Sequence, residues 1–280
     1  MIVKTTVSQI WQLLKAYILP GAIALIILFP LLWLLSTAFK SSSENLFSFP
    51  PQFWPAQPTW QNFIKVWQSS PFYLYVWNSV VVSTVAVGLN LVFAALAAFP
   101  LARIQFRGRK LLFWLVVITT IIPFQITLVP LYILAVKLNL RNTYAGLILP
   151  YGVSAFGIFL LRQAFLAIPQ ELEEAAILDG CTPLGIWWHV MIPGVRPALT
   201  TLAIFTFVGM WGDFLWPLIM IDRPSLFTLP LGLVNLTSAF SEDWRLICAG
   251  AVIAIVPILI LFAVAQQYII PSNLTTGVKG

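Results

Sequence analysis

Charge is scarce in this sequence: Asp, Glu, Lys and Arg make up 9% of its 280 residues, against roughly 25% in a soluble domain. A chain this poor in charge cannot coat a globule with a solvated surface, so a soluble domain is excluded. Histidine is nearly absent; with His189 alone, no H-E-x-x-H zinc site can be assembled. No G-x-x-x-x-G-K-S/T loop occurs, so the chain does not bind ATP in P-loop fashion, and there is no G-x-S-x-G elbow. A membrane enzyme therefore lacks its catalytic constellation. The two cysteines, Cys181 and Cys248, fall on opposite sides or depths of a bilayer and predict no disulfide, with Cys181 a free cytosolic thiol. The net charge of +6 forms no basic patch interleaved with aromatics, which excludes nucleic acid and leaves topology and anionic lipid as its uses.

What the chain has instead is apolar length. Sixty per cent of residues are hydrophobic and the mean hydropathy is +0.94. Six runs, near Tyr17–Phe39, Asn78–Leu101, Leu111–Val136, Tyr144–Ala164, Ala198–Ile221 and Leu246–Ile270, reach the roughly 20 helical residues that cross a hydrocarbon core. None shows the ~10-residue alternation of a barrel strand, so the expected fold is all-α: a polytopic membrane protein with six transmembrane helices. The first run exceeds a signal-peptide core and contains Pro20 and Pro30, which predicts a retained helix.

Orientation follows from the basic loop residues. With the N-terminus inside, Lys4, Lys15, Arg103, Arg107, Arg109, Lys110, Arg162, Arg196 and Lys279 are cytoplasmic. Lys40, Lys65, Lys137, Arg141, Arg223 and Arg245 lie outside. The short loop Arg103–Lys110 supplies most of the difference, and N-in/C-in is expected.

Residues 1–16 form a cytoplasmic or interfacial segment in which Val7, Ile10, Trp11, Leu13 and Leu14 suit an amphipathic helix; a frayed terminus is the alternative. Residues 17–280 form the transmembrane domain. Pro50-Pro51 and Pro55 prevent continuous helix in the aromatic-rich outer loop Lys40–Trp77, which is expected to pack on the membrane surface. In the third run Pro123 and Pro130 flank Gln125 and predict a kink, either lining a cavity or serving packing. Small residues, Gly88 and Ala94 among them, permit close helix approach.

Asp213 stands apart as the acid deep in a predicted span. Such a group costs about 2.5–3.5 kcal/mol on insertion scales and normally faces a cavity or partner. On a continuous helix Gly209, Asp213, Trp216 and Pro217 share a face. A carboxylate beside indole rings suits a hydroxyl-rich solute, by hydrogen bonding and stacking. The alternative is that Asp213 pairs with a helix terminus or Arg and holds the bundle.

Between the fourth and fifth runs lies a short, partly acidic island, about residues 168–197. Pro169 to Asp179 reads as a helix with acids in its first turn, Gly180 as a sharp exit, and Thr182-Pro183 as the start of a second helix. Ile186, Trp187, Val190 and Met191 are expected to bury before Pro193 and Pro197 redirect the chain. The order Glu174-Ala175-Ala176, Asp179-Gly180, Ile192-Pro193 closely resembles the cytoplasmic coupling (EAA) loop of ABC importer permeases. Cys181 stands where a small residue is usual. Asn78-Ser79, Pro123, Pro130, Phe159-Leu160, Arg162-Gln163, Trp211 to Pro217 and Gly277-Val278-Lys279-Gly280 extend the likeness over residues 17–280, most of all to the maltose-type second permease subunit.

The resemblance implies a permease subunit in the bacterial inner membrane, forming half of a carbohydrate path. Its implied partners are a non-identical second permease, two ATPase subunits that bind ATP and Mg, an extracytoplasmic solute-binding protein, a di- or oligosaccharide or glycoside, and the lipid bilayer. This chain is expected to bind no cofactor or metal. It implies that Glu174, Ala175, Ala176, Asp179, Gly180, Ile192 and Pro193 carry ATPase coupling, while Gly209, Asp213 and Trp216 are the candidate translocation residues. The outer loop Asp222–Arg245 is a candidate contact for the binding protein. An ion-coupled secondary transporter or channel is the competing class; no inverted repeat supports it.

Overall fold

The computed structural model of the protein describes residues 7–69, 71–239 and 243–269, so Glu242 and the terminal Gly277–Gly280 segment lie outside the described residues. Every regular element among them is helical.

The stretch from Ala16 to Phe39 carries no charged residue, and α1 (Val7–Phe39) runs through it with Pro20 and Pro30 inside the helix. The interfacial segment expected over residues 1–16 is the start of this same helix from Val7 on. Beyond it the chain turns back on the helix end. Thr59 N donates to Phe39 O at 2.9 Å, and the buried Asn62 amide donates to Ala38 O and Lys40 O at 2.8 Å each. Asn62 belongs to α2 (Gln61–Ser69), an amphipathic turn within the expected aromatic loop. The carboxylate of Glu44 accepts from Ser41 N, Ala56 N and Gln57 N at 3.1–3.2 Å, closing the Pro-rich stretch on itself. These elements and Asn235–Ile255 make one compact unit; Pro71–Val234 and the chain from Val256 make a second.

In the second unit, α3 (Phe72–Arg103) begins at Phe72, ahead of the expected Asn78, because Pro71 at its N-cap fixes the turn there. Its 32 residues span about 48 Å, more than a hydrocarbon core needs. Asn78, Val82, Ala86, Asn90, Ala94, Ala98 and Ala102 recur every fourth residue on its buried side. Against that stripe packs α7 (Ala155–Leu166), where Gly157 permits close approach: a Cβ there would sit 3.1 Å from Ala94 Cβ and 3.0 Å from Leu202 Cδ2.

The third predicted run is two helices, α4 (Arg109–Thr119) and α5 (Phe124–Lys137), 98° apart. Pro123, with no N–H to offer, is the N-cap of α5, and the Thr119 and Thr120 hydroxyls bond back to Val116 O and Val117 O at 2.6 Å. The fourth run is likewise bent, by 44°: α6 (Tyr144–Ile148) and a 3-10 turn lead through Ser154, whose Oγ caps α7.

The island follows as α8 (Gln170–Leu178), α9 (Pro183–Ile186), a π-helical turn over Trp187–Met191, and α10 (Ile192–Gly194). After a 77° bend come α11 (Arg196–Trp211), α12 (Leu215–Met220), α13 (Leu229–Ala239) and α14 (Trp244–Ile269). Tyr17–Phe39, Phe72–Arg103 and Trp244–Gln266 are long and apolar enough to cross a membrane. Counting each bent pair as one crossing gives up to six. The second unit has two apolar clusters, one around Ala98, Phe165, Trp187, Met191 and Leu202, the other around Val82, Leu147, Trp216 and Met220.

Candidate coupling helix and solute cavity

The turn after α8 is built from hydrogen bonds that only one backbone shape allows. Cys181 N donates to Ala176 O at 2.9 Å and Gly180 N to Ile177 O at 3.0 Å, the paired bonds of a Schellman cap. The residue between the helix and this reversal must be left-handed, and Gly180 has φ +81°. Thr182 then caps α9 by accepting from Gly185 N at 3.2 Å, with Pro183 at the first helical position. Asp179 is the C-cap of α8. The chain here is a helix, a left-handed turn at Gly180 and a second, four-residue helix that runs on into a π-helical turn.

Its inner face is buried. Ala176, Ile186, Trp187 and Met191 join one apolar cluster with Phe165 and Leu202; Val190 and Ile192 pack at its margin, while Pro193 is exposed. Ala176, 7% exposed, therefore packs inward, whereas Ala175 beside it is exposed. Arg103, the last residue of α3, fixes the island from below. Its guanidinium donates to Phe165 O at 2.7 Å and to Ile168 O, and its Nε lies 3.6 Å from Glu173 Oε2. The outer face of α8 presents Glu174, whose Oε1 accepts from Gln170 Nε2 at 3.0 Å one turn earlier. On the same element Glu171 and Asp179 are exposed too, as are Leu172 and Ile177, and Leu178 is 88% exposed. Exposed carboxylates and exposed apolar side chains thus share a short helix that Arg103 and Ala176 hold from behind.

A second region lies along α11. The continuous helix expected through Gly209, Asp213 and Trp216 is broken: Gly212 ends α11, donating to Val208 O at 3.1 Å, and α12 starts only at Leu215. Gly212 and the carboxylate after it favour the break. Asp213 Oδ1 faces the first free amide of α12, Trp216 N, at 3.4 Å, and Oδ2 accepts from Tyr151 Oη at 2.8 Å. Gly209 and Asp213 line a cavity of about 450 Å³. Trp216 does not; its ring is fully buried, with Nε1 donating to Gly146 O at 2.9 Å. The break turns indole and carboxylate to different surroundings.

Sequence reading missed most of this cavity's polar wall. Asn90 in α3, 2% exposed, donates to Thr206 Oγ1 at 2.8 Å and accepts from Ser154 N at 2.9 Å and Ser154 Oγ at 3.1 Å. Phe124, Phe156 and Phe205 complete the apolar walls. An amide inside an unbroken apolar run was the signal available at Asn90. Arg103 was read as loop charge alone, and the carbonyls it serves had no signature.

The sequence profile of the family described as binding-protein-dependent transport system inner membrane component matches residues 90–273. The arabinooligosaccharides transport system permease protein AraQ of Halalkalibacterium halodurans is 40% identical to this chain over 261 residues, 92% of this chain and 93% of its own length. The sulfoquinovosyl glycerol transport system permease protein SmoH of Agrobacterium fabrum is 34% identical, across 90% of this chain and 89% of its own. A crystal structure of a bacterial ABC transporter involved in the import of the acidic polysaccharide alginate superposes with a TM-score of 0.84. It covers 96% of this chain and 100% of that one at 22% identity, a likeness of fold. The chain belongs to the family of inner membrane components of binding-protein-dependent transport systems: a permease of the bacterial inner membrane, not an enzyme.

Proposed function

We propose that this chain is one permease subunit of an ATP-driven importer of a carbohydrate, a di- or oligosaccharide or a glycoside. It forms half of the translocation path and is moved by ATPase subunits through the loop 168–197. The observation that carries the reading is α8: a short helix anchored by Arg103 and Ala176 that exposes Glu174 together with Leu172, Ile177 and Leu178. The arabinooligosaccharides in the names of relatives support the substrate class. Under this reading six crossings run N-in/C-in, and a non-identical permease completes the path. Two ATPases bind ATP and Mg, and an extracytoplasmic solute-binding protein delivers the sugar.

The residues divide the work. Glu174 supplies a charged contact and Ala175 a close approach to one ATPase subunit. Ala176 holds α8 to its own core. Asp179 and Gly180 set the turn, and Ile192 and Pro193 carry the chain to the bend before α11. Gly209 and Asp213 line the solute path, with Trp216 behind them as packing. The loop from Asp222 to Arg245 receives the binding protein; in it Asp222 pairs with Arg141 at 2.7 Å and accepts from the Asn142 amide at 3.2 Å. Reversing a two-state equilibrium from 1:99 to 99:1 takes about 5.5 kcal/mol, so α8 has to transmit force without yielding.

ATPase activity of the purified complex in nanodiscs, with its binding protein and a panel of sugars, tests the proposal. Stimulation by one sugar only in the presence of the binding protein is expected. A chain that purifies with no ATPase would overturn the coupling role and favour an ion-coupled transporter.

A further inference from the structure

We infer that the cavity along α11 sorts solutes by charge, admitting neutral hydroxyl-rich molecules and refusing anionic ones, with Asp213 the residue that decides. The inference rests on the reading of this cavity as part of the solute path.

The lining has one carboxylate, Asp213, and none of its described residues is Lys, Arg or His. Proteins that take up carboxylates, sulfonates or phosphates use cations or free helix-end amides to meet them. Two helix starts meet the wall, α5 at Phe124 and α7 at Ala155; at the second, Gly157 N donates to Ser154 Oγ at 3.0 Å and Ser154 N donates to Asn90 Oδ1 at 2.9 Å. A helix end carries only about half a positive charge, so the full negative charge of Asp213 sets the sign of this wall.

A neutral sugar meets a different surface. Asn90, Ser154, Thr206 and Tyr151 bring amide and hydroxyl groups that exchange bonds with hydroxyls, which both donate and accept. Phe124, Phe156 and Phe205 offer ring faces to the apolar side of a pyranose or furanose. Asp213 Oδ2 accepts from Tyr151 and Oδ1 faces the start of α12, with Trp216 N at 3.4 Å; a carboxylate oxygen accepts more than one bond, so Oδ1 can also take a solute hydroxyl. An anionic group has no proton to give it and meets like charge in an apolar surround, where the repulsion is strongest. Rejection of this kind is specificity by an unfavourable contact, and it needs no change elsewhere in the wall.

The test is saturation-transfer NMR on the assembled complex in nanodiscs, without binding protein or nucleotide. The probes are arabinobiose, maltose and cellobiose, each beside the aldonate made by oxidising its reducing end. In wild type at least one neutral sugar gives a signal, and its aldonate binds about tenfold more weakly or worse, as expected of an uncompensated like-charge contact. Asp213→Asn, or Asp213→Ser where the first does not assemble, brings the two within about twofold. Tyr151→Phe, which removes a hydroxyl and keeps the charge, preserves the discrimination. Equal binding of sugar and aldonate in wild type overturns the inference and leaves the path reading standing, as does discrimination that survives in both neutral variants. No signal from any sugar in any form overturns the path reading and this inference together.

Discussion

The island and the cavity both use polar side chains beside breaks in helices, yet they use them in opposite ways. At the island a polar side chain grips backbone. Arg103 holds the carbonyls of Phe165 and Ile168, and Thr182 caps α9. Carbonyls and amides have fixed positions, so these bonds stiffen the chain. In the cavity side chains chiefly grip one another: Asn90 with Thr206 and Ser154, Tyr151 with Asp213. Such pairs part and re-form at little cost when a solute offers equivalent groups. A part that transmits force and a part that exchanges partners are distinguished by what their hydrogen bonds are tied to.

The comparison is broken most severely at the face of α8. Glu174→Lys puts a cation in place of a carboxylate on the proposed docking face, and Gly180→Trp places a bulky side chain at φ +81°. Either is expected to abolish uptake while the protein still inserts and purifies. Normal uptake by well-expressed Gly180→Trp protein would end the coupling role.

Removing the grip from behind is the next test. Arg103→Ala deletes two charged donors to buried carbonyls, bonds worth about 1.5–3 kcal/mol each. The expected phenotype is loss of transport per ATP hydrolysed, with ATPase activity retained, because α8 still docks but yields. Proteoliposome uptake measured together with phosphate release separates this from simple loss of assembly.

Gly157→Val acts on the packing that holds the cavity wall to α3. The new side chain overlaps Ser154 Oγ, Leu202 and Ala94, all within 3.1 Å of the added Cβ, and overpacking of this kind costs roughly 1–3 kcal/mol. A lowered melting temperature in detergent, with Gly157→Ala in between, is the expected result.

The smallest effect lies outside both regions and serves as their control. Burial raises the Glu44 carboxyl, but the amides of Ala56, Gln57 and Ser41 and the charge of Lys40 outweigh it and hold it below its ordinary value. A depressed folded value means that the stabilisation is complete above the unfolded carboxyl range and fades as pH falls through the folded one. The protection of the Ala56 and Gln57 amides, taken relative to their intrinsic exchange rate at each pH, should therefore fall on acidification. In Glu44→Gln that pH response should vanish, with sugar-stimulated ATPase activity at neutral pH unaltered.

Much of the fold was legible because membrane length and composition are one-dimensional properties. The apolar runs, the helix pair around Gly180 and the capping role of Thr182-Pro183 all follow from local sequence. The breaks were harder. Pro123 announced a kink, but its 98° size depends on what α4 and α5 pack against. Gly212-Asp213 favours a helix end, but nothing local told that Asp213 would face the cavity while Trp216 was buried. Ala175 and Ala176 are identical in sequence terms, and only the arrival of Phe165 and Met191 makes one buried and the other exposed. Asn90, Ser154 and Thr206 lie on three helices, and no spacing rule joins them.

The 77° bend at Val195 has a mechanical consequence. Val195 is 2% exposed and shares an apolar cluster with Met191 and Leu202 on either side, which under the proposed coupling lets the two arms turn as one piece, like a bell crank. The long arm, α11, has 16 residues and reaches about 24 Å, ending two residues short of Asp213. Under the proposed coupling, a rotation of about 10° at the elbow sweeps that far end through about 4 Å. A displacement of that size exceeds the length of a hydrogen bond, enough to part Asp213 from Tyr151. A modest nudge delivered to the short arm would thus be geared up into the opening or closing of the sugar's resting place.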